Sequence, residues 1–412
     1  MLLIDNYRTL QIFDRFGFIP RYQVLILIMI LFRTLITQIG SYERLFLEKS
    51  KFLNILILII MTTRRIILIF RAPILIYIIF EFASIPIFII IIGWGYQPEK
   101  IKAAFIILIY TIISAVPLLF LLLIKTSISY RINLSYLLIL NNVNNTFLGS
   151  LFRIIIFLSF LVKIPLYGLH FWLPIAHVEA PVYASIILAR ILLKLGGIGL
   201  LRFYPSIYRF FSLDSFSRIS LWGSILVGFI CLTTTDLKKV IAYTRVAHIA
   251  LRIILWSLRR SIWLIPFILS LVTHAFSSSG LFYSAHVLYK ERNRRIILIN
   301  TGILSKDKSF RFYFLILVLA RVGAPPSINL LREIISLSII SIRFMPVIFL
   351  LLSVIILIRA VHFILYSTIS QSFKTWEERS ELLNCSMIDY FILISHVVVI
   401  IFTPLVITFI SI

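Results

Sequence analysis

Cysteine is nearly missing: Cys231 and Cys385 are the only two in 412 residues. That excludes a disulfide framework and a cysteine-ligated cluster, and leaves two isolated thiols that read as inert packing. Charge is scarce too. Charged residues make up 14% of the chain against 61% hydrophobic, where a soluble domain carries about a quarter charged. Acids are scarcest, with 16 Asp plus Glu against 40 Lys plus Arg and a formal net charge of +24. The basic residues are scattered along apolar runs and form no patch interleaved with base-stacking aromatics, which excludes nucleic acid as a partner. No glycine-rich dinucleotide fingerprint is present. The start, "MLLIDNYRTLQIFDRFGF", puts charges where the apolar core of a cleavable signal peptide would stand.

What is there is oil. Runs such as "FLNILILII", "IFIIIIG" and "FIILIYTIISAVPLLFLLL" recur from end to end, and with their flanks they reach the roughly 20 apolar residues that cross a bilayer as a helix. The pattern predicts an all-α polytopic membrane protein of about twelve spans. They cover 24–40, 52–70, 73–93, 102–125, 148–169, 178–203, 217–233, 238–257, 261–288, 309–338, 345–367 and 387–410. Polar linkers such as "GYQPEK", "NNVNN", "YKERNRR" and "KTWEERSE" separate them, and no soluble domain fits between. Residues 1–412 therefore read as one transmembrane domain. Period-2 alternation is missing, which excludes barrel strands.

Against this background six ionisable residues lie inside apolar spans: Glu81, Lys163, Lys194, His248, His274 and Glu333. One such group costs about 2.5–3.5 kcal/mol at mid-membrane, so it faces a bundle interior or a wet cavity. A single lysine also fits snorkelling to a helix end, and a single histidine fits a satisfied core hydrogen-bonder. Six across separate spans fit neither. Carboxylate, amine and imidazole at similar depth are the parts of a proton relay. Two helix breaks sharpen the reading. Pro165 stands two residues after Lys163 in "LVKIPLYGLHFWLPIAHVEAP", and "APP" (Ala324 to Pro326) stands seven residues before Glu333. A proline frees backbone carbonyls, which lipid tolerates only where the break lines protein or a polar cavity. Breaks at corresponding places in two chain halves point to an inverted-repeat transporter with its site at mid-membrane.

Together, "VKIPLYGLHFWLPIAHVEAP", "ILLKLGGIGLLRF", "FEFASIP", "GWGYQPEKIKAAF", "TDLKKVIAYTRVAHIAL", "THAFSSSGLFY" and "GAPPSINLLREI" resemble, in order, the antiporter-like subunits of respiratory complex I of the chain 4 type of mitochondrial NADH–ubiquinone oxidoreductase. The likeness runs from about residue 72 to 338 and more loosely beyond. It implies a bundle of two inverted five-helix repeats, here about 52–203 and 214–367, with a further C-terminal helix at 387–410. Two N-terminal helices of the family are expected to be missing. The implied activity is proton translocation within NADH:ubiquinone reductase, in the mitochondrial inner membrane. NADH, FMN, iron–sulfur clusters and ubiquinone would be bound by partner subunits, with no cofactor and no metal in this chain. Chains 2 and 5 of the same enzyme and membrane lipids are the implied partners.

By the same resemblance Glu81 pairs with the pumping lysine, Lys163, and Lys194 is the central bridging lysine. His248 and His274 belong to the relay, and Glu333 is the terminal acid. His170 and His177 match the two histidines flanking "WLP", and Glu179 matches the glutamate of "HVEAP", whose role can be structural. Two other readings stay open: a subunit of a multisubunit cation/proton antiporter, and a membrane subunit whose charges only hold helices together.

The chain departs from its family at Ile175, where a lysine is usual, and in its arginines. Of the 40 basic residues 27 are arginine, and many lie mid-span: Arg33, Arg64, Arg65, Arg190, Arg245, Arg252, Arg321, Arg332 and Arg359. Small residues are usual near 190, 245, 321 and 332, and reading serine there gives "LASILLKLGG", "YTSVAHIALS" and "NLLSE", which are closer to the family. Many invertebrate mitochondria read AGA and AGG as serine. A fraction of these arginines is therefore expected to be serine in the organelle's protein, whereas Arg202 in "GLLRF" matches a family arginine.

Overall fold

A computed structural model describes residues 48–69, 72–95, 97–128, 147–207, 213–257, 264–292, 295–297, 300, 304, 307–341, 345–370 and 385–411. In chain order these form α1 (Glu48–Ile69), α2 (Pro73–Phe82), α3 (Ser84–Trp94), α4 (Lys100–Ile128), α5 (Phe147–Lys163), α6 (Trp172–Glu179) and α7 (Val182–Ile187). A π turn (Leu188–Leu192) joins α7 to α8 (Leu193–Ile207), and α9 (Leu213–Thr233), α10 (Leu237–Ser257), α11 (Leu264–Arg292), α12 (Lys308–Val322), α13 (Ile328–Ser341), α14 (Met345–Ser370) and α15 (Met387–Ser411) follow. No strand occurs among the described residues; Asp236 and Ile296 form an isolated bridge.

Five of these stretches are long and apolar enough to cross a membrane by length and composition: 73–94, 100–124, 182–203, 216–233 and 351–370. The outer faces are what a bilayer solvates. Phe52, Ile55, Ile78, Phe82, Ile113, Phe120, Trp222, Phe229, Ile356 and Phe363 all stand exposed. So much bare apolar surface marks a membrane or partner contact rather than a water-facing monomer. The stretch from Val182 to Phe203, which contains the π turn, is enclosed by α3, α5, α6 and α11.

The expected spans meet the structure unevenly. The one at 24–40 lies outside the described residues. Those at 52–70, 102–125, 217–233, 238–257, 261–288, 345–367 and 387–410 each coincide with one helix to within a few residues. Those at 73–93 and 178–203 correspond to the membrane-length stretches 73–94 and 182–203, each with an internal irregularity, and the other two are corrected. The span at 73–93 bends at Ala83, because Pro86 has no N–H to close the ladder there. The span at 148–169 stops at Lys163, and that at 178–203 begins only at Val182, after Pro181. The span at 309–338 is two helices, α12 and α13, parted by Gly323–Ser327.

Both breaks contain a glycine in left-handed conformation, Gly168 (φ 91°) and Gly323 (φ 84°). Gly323 closes α12 by donating its N–H to Leu319, and the Ala324 N–H returns to the same carbonyl at 2.9 Å. Side chains take up carbonyls that the breaks release. The Trp172 indole donates to the Val162 carbonyl at 2.9 Å, and Asn329 donates to the Ala320 carbonyl at 2.5 Å. The broken backbone is thus satisfied inside protein, as an apolar surround requires.

Candidate functional site

Lys163 is the last residue of α5 and is almost wholly buried. The helix ends there because Pro165 cannot donate and the following chain turns through Gly168. Its Nζ donates to Glu81 Oε1 at 2.7 Å and to the Phe80 carbonyl at 3.3 Å, and lies 3.4 Å from the centre of the Phe80 ring. Glu81 is partly exposed and sits two residues before the Ala83 bend. The ammonium therefore has one ionic partner, one carbonyl and one ring face, all from α2.

Lys194 is the second residue of α8, directly after the π turn. A π turn carries one extra residue per turn and leaves carbonyls free. Here the Lys194 ammonium donates to one of them, Ala189 O, at 2.8 Å. α8 packs on α5, which carries Lys163, and the π turn packs on α11, which carries His274. Gly196 allows the α5–α8 approach: a Cβ there would stand 2.8 Å from Ile164 Cγ1 and 3.2 Å from Ile164 N.

A third group lies where α10, α11, α13 and α14 meet. The His248 and His274 rings are 4.9 Å apart. His274 Nδ1 faces Arg321 Nη1, and His274 Nε2 faces Arg332 Nη1 at 2.6 Å. Arg332 donates to Glu333 Oε1 at 3.0 Å, and Arg359 to Glu333 Oε2 at 2.9 Å. Both ring nitrogens of His248 are buried without a hydrogen-bond partner among the described residues.

The remaining residues take other places. His170 is stacked between Tyr167 and Phe171 and accepts from the Gly168 N–H on Nδ1, which ties it to the shape of the break. His177 stacks on Phe282 at 4.6 Å and meets Arg245 through Nε2 at 3.1 Å. Glu179 is buried and pairs with Arg295 at 3.4 Å, beside a surface cavity of about 510 Å³ that Glu99, Asp236 and Lys239 also line. That pairing fits a structural role. Ile175 lies on the exposed side of α6.

The structure thus joins Glu81 to Lys163, and His248, His274 and Glu333 to one another's neighbourhood. Phe80 and Arg295, and the arginines at 245, 321, 332 and 359, touch the candidates without being among them, and His362 lies within electrostatic reach of His248. His362 in "AVHFIL" carries the same signal as His248, a lone imidazole in an apolar run, but it falls beyond residue 338, where the family motifs thin out. Of the mid-span arginines, Arg190, Arg245, Arg252, Arg321 and Arg332 are all buried to 2% exposure or less. Arg33 and the side chains of Arg64 and Arg65 lie outside the described residues. Among the described residues no group of three His, Cys, Asp or Glu could hold a metal ion.

Comparison with known proteins gives these residues a context. A model of the family described as "NADH:quinone oxidoreductase/Mrp antiporter, TM" matches residues 73–359. The chain is 39% identical over 260 residues to "NADH-ubiquinone oxidoreductase chain 4" of Artemia franciscana, covering 63% of this chain and 65% of that one. It is 38% identical over 264 residues to the protein of the same name from Locusta migratoria, covering 62% and 57%. Against that of Apis mellifera ligustica it is 31% identical over 351 residues, covering 84% and 76%. The match thus spans less than two thirds of the Artemia and Locusta chains. Among solved structures, a chain of "Respiratory complex I from Thermus thermophilus with bound NADH" superposes with a TM-score of 0.78 at 19% identity, over 94% of this chain and 80% of that one. That likeness speaks to the fold.

Proposed function

The chain belongs to the NADH:quinone oxidoreductase/Mrp antiporter transmembrane family, and from that premise we propose that it is a proton-translocating membrane subunit of respiratory complex I in the mitochondrial inner membrane. It works beside the other membrane subunits, chains 2 and 5 of the same enzyme among them. It has about twelve spans in two inverted repeats, 52–203 and 214–367. Its part in NADH:ubiquinone reductase is proton movement. NADH, FMN, iron–sulfur clusters and ubiquinone are held by partner subunits.

The observation that carries this reading is the Lys163–Glu81 pair at a helix break. The ammonium is buried against the Phe80 ring, so whether it holds a proton depends on one carboxylate 2.7 Å away. Glu81 stands at the Ala83 bend and is partly exposed. A small change in that bend opens or closes the pair, and the opened lysine gives up its proton to the interior. Lys194 and then the His248–His274 pair pass the proton through bridging waters towards Glu333, next to the second break. His170 and His177 shape the first break and the α6–α11 contact rather than carrying protons.

Replacing Lys163 with Ala in the assembled complex tests this. Proton pumping is expected to collapse while the complex still assembles. Undiminished pumping removes Lys163 from the path. The variant Glu81→Gln is expected to be at least as damaging, because it leaves a buried ammonium without its partner, at a cost of about 3–5 kcal/mol. The antiporter reading is separated by purification: a chain that comes without redox subunits and supports sodium-dependent exchange belongs to that class instead.

A further inference from the structure

His362 lies on α14, the helix that packs against α9, α10, α12 and α13. The inward face of α14 runs through Val354, Ile358, Val361, His362, Leu365 and Ile369, all buried, whereas Ile356, Phe363 and Ile364 face outward. Arg359, one turn earlier on α14, donates to Glu333. Residues three apart on a helix are neighbours, so His362 sits one turn along from the residue that touches the terminal acid. It interacts electrostatically with both His248 and Arg321.

The ring's two nitrogens differ. Nδ1 is 2.8 Å from the Ile358 carbonyl one turn back. A carbonyl only accepts, so Nδ1 carries the hydrogen and Nε2 holds the lone pair. Nε2 is buried and has no hydrogen-bond partner among the described residues, in a side chain with 1% exposure. A neutral buried acceptor left unpaired costs about 1–3 kcal/mol, so an apolar residue would pack this place at lower cost.

We propose that His362 is a proton-storing station beside the relay, loaded and unloaded at Nε2. This rests on the proton-relay reading of the chain. Because Nδ1–H is committed to Ile358, a proton cannot enter one nitrogen and leave by the other. The ring takes a proton from a hydronium near His248: an O–H bond breaks, an Nε2–H bond forms, and the imidazolium keeps both N–H groups. It later returns that same proton to water next to Glu333. The ring buffers a charge between two transfers and is not a link in series. A guanidinium at position 321 would repel the stored charge, so the station calls for a neutral residue there, as the serine reading supplies.

The test uses the assembled complex in sealed vesicles, with NADH oxidation and vesicle acidification recorded together. In His362→Gln and His362→Asn the neutral ring is replaced by an amide that donates but does not titrate. Coupled turnover is expected to slow about tenfold, less than the roughly 100-fold cost of losing an obligatory proton carrier. A histidine imidazolium band present in the redox-triggered infrared difference spectrum of the unaltered complex is expected to vanish. Wild-type coupled turnover with an unchanged spectrum in either variant overturns the station. Loss of assembly in both does so too, since the ring is then a structural support. Glu333→Gln is the control: full pumping there fails the relay itself, while lost pumping there beside a normal His362→Gln fails only the station.

Discussion

Serine, rather than arginine, is predicted at positions 190, 245, 252, 321 and 332 of the protein as its cell makes it. Five guanidiniums are buried here to 2% exposure or less. At about 2.5–3.5 kcal/mol each for insertion at mid-membrane, they would cost about 12–18 kcal/mol together, as much as the roughly 5–15 kcal/mol that holds an ordinary fold together. The partners do not offset this. Among the described residues Arg245, Arg252 and Arg321 form no ion pair with a carboxylate, and Arg332 shares Glu333 with Arg359. Buried guanidinium nitrogens of Arg245, Arg252, Arg321 and Arg332 are without acceptors. His274 makes the point chemically. Arg321 faces Nδ1 and Arg332 faces Nε2; guanidinium is a donor only, and a neutral imidazole has one lone pair to offer. Two donors on one ring would need an imidazolate. A hydroxyl both donates and accepts, so serine at either position removes the conflict. The assay is mass spectrometry of the purified chain, digested with trypsin and separately with chymotrypsin. Serine-bearing peptides that run uncut through 321 and 332 are expected, with AGA or AGG codons in the gene. Arginine-bearing peptides at these positions, or CGN codons, refute the reasoning.

Three local substitutions follow from the breaks and caps. Gly196→Ala forces a Cβ against Ile164 at the end of α5; overpacking of about 1–3 kcal/mol is expected, read as earlier thermal inactivation of the complex, and an unchanged inactivation curve would show that α5 and α8 have slack. Trp172→Phe strips the donor from the Val162 carbonyl, with an expected loss of about 1–3 kcal/mol and lower assembly. Asp307 caps α12 by accepting from the Ser309 and Phe310 N–H groups, so Asp307→Ala should cost about 0.5–2 kcal/mol. Burial pushes this carboxyl up, but hydrogen bonds from Ser309, Tyr390 and Phe310 outweigh it and hold it below its ordinary value. A lowered folded-state pKa stabilises above the unfolded-state pKa and is lost as pH falls through the folded one. The gap between wild type and Asp307→Ala should therefore close in acid; a gap independent of pH would mean that the charge plays no part in the cap.

The breaks were legible in the sequence because proline and glycine act through the backbone. Pro165 and the "GAPPS" stretch stop α5 and α12 whatever packs around them. The Lys163–Glu81 pairing came from the family resemblance; the residues by themselves said only that each charge in an oily run needs a polar partner or a wet cavity. The bend at Ala83 was less so: Pro86 stands inside an apolar run that reads as one span, and Pro117 inside α4 leaves that helix whole. The π turn at Leu188–Leu192 has no residue signature; in the structure it and α7 pack on α11. His362 was lost for a different reason. A lone histidine is ambiguous until its neighbours are placed, and α10 and α12 bring His248 and position 321 to it from far along the chain.

The two breaks also divide the chemistry by sign. At the first, a cation ends a helix and a carboxylate comes to it from α2, so the buried pair is balanced within one contact. At the second, a carboxylate follows the break, and what comes to it are Arg332 and Arg359, two cations for one acid. Guanidinium holds its proton under all working conditions, so a Glu333 clamped by two of them has no partner with which to trade one. With serine at 332 and 359 the nearest titrating groups become His274, His248 and His362. An imidazole, unlike a guanidinium, can both take up and give up a proton. Under the proton path proposed above, serine at 332 and 359 would therefore turn the second break from a fixed ionic clamp into an exit. Under that same proposal, a chain carrying the arginines as written would load a proton at Lys163 and be unable to release it at Glu333.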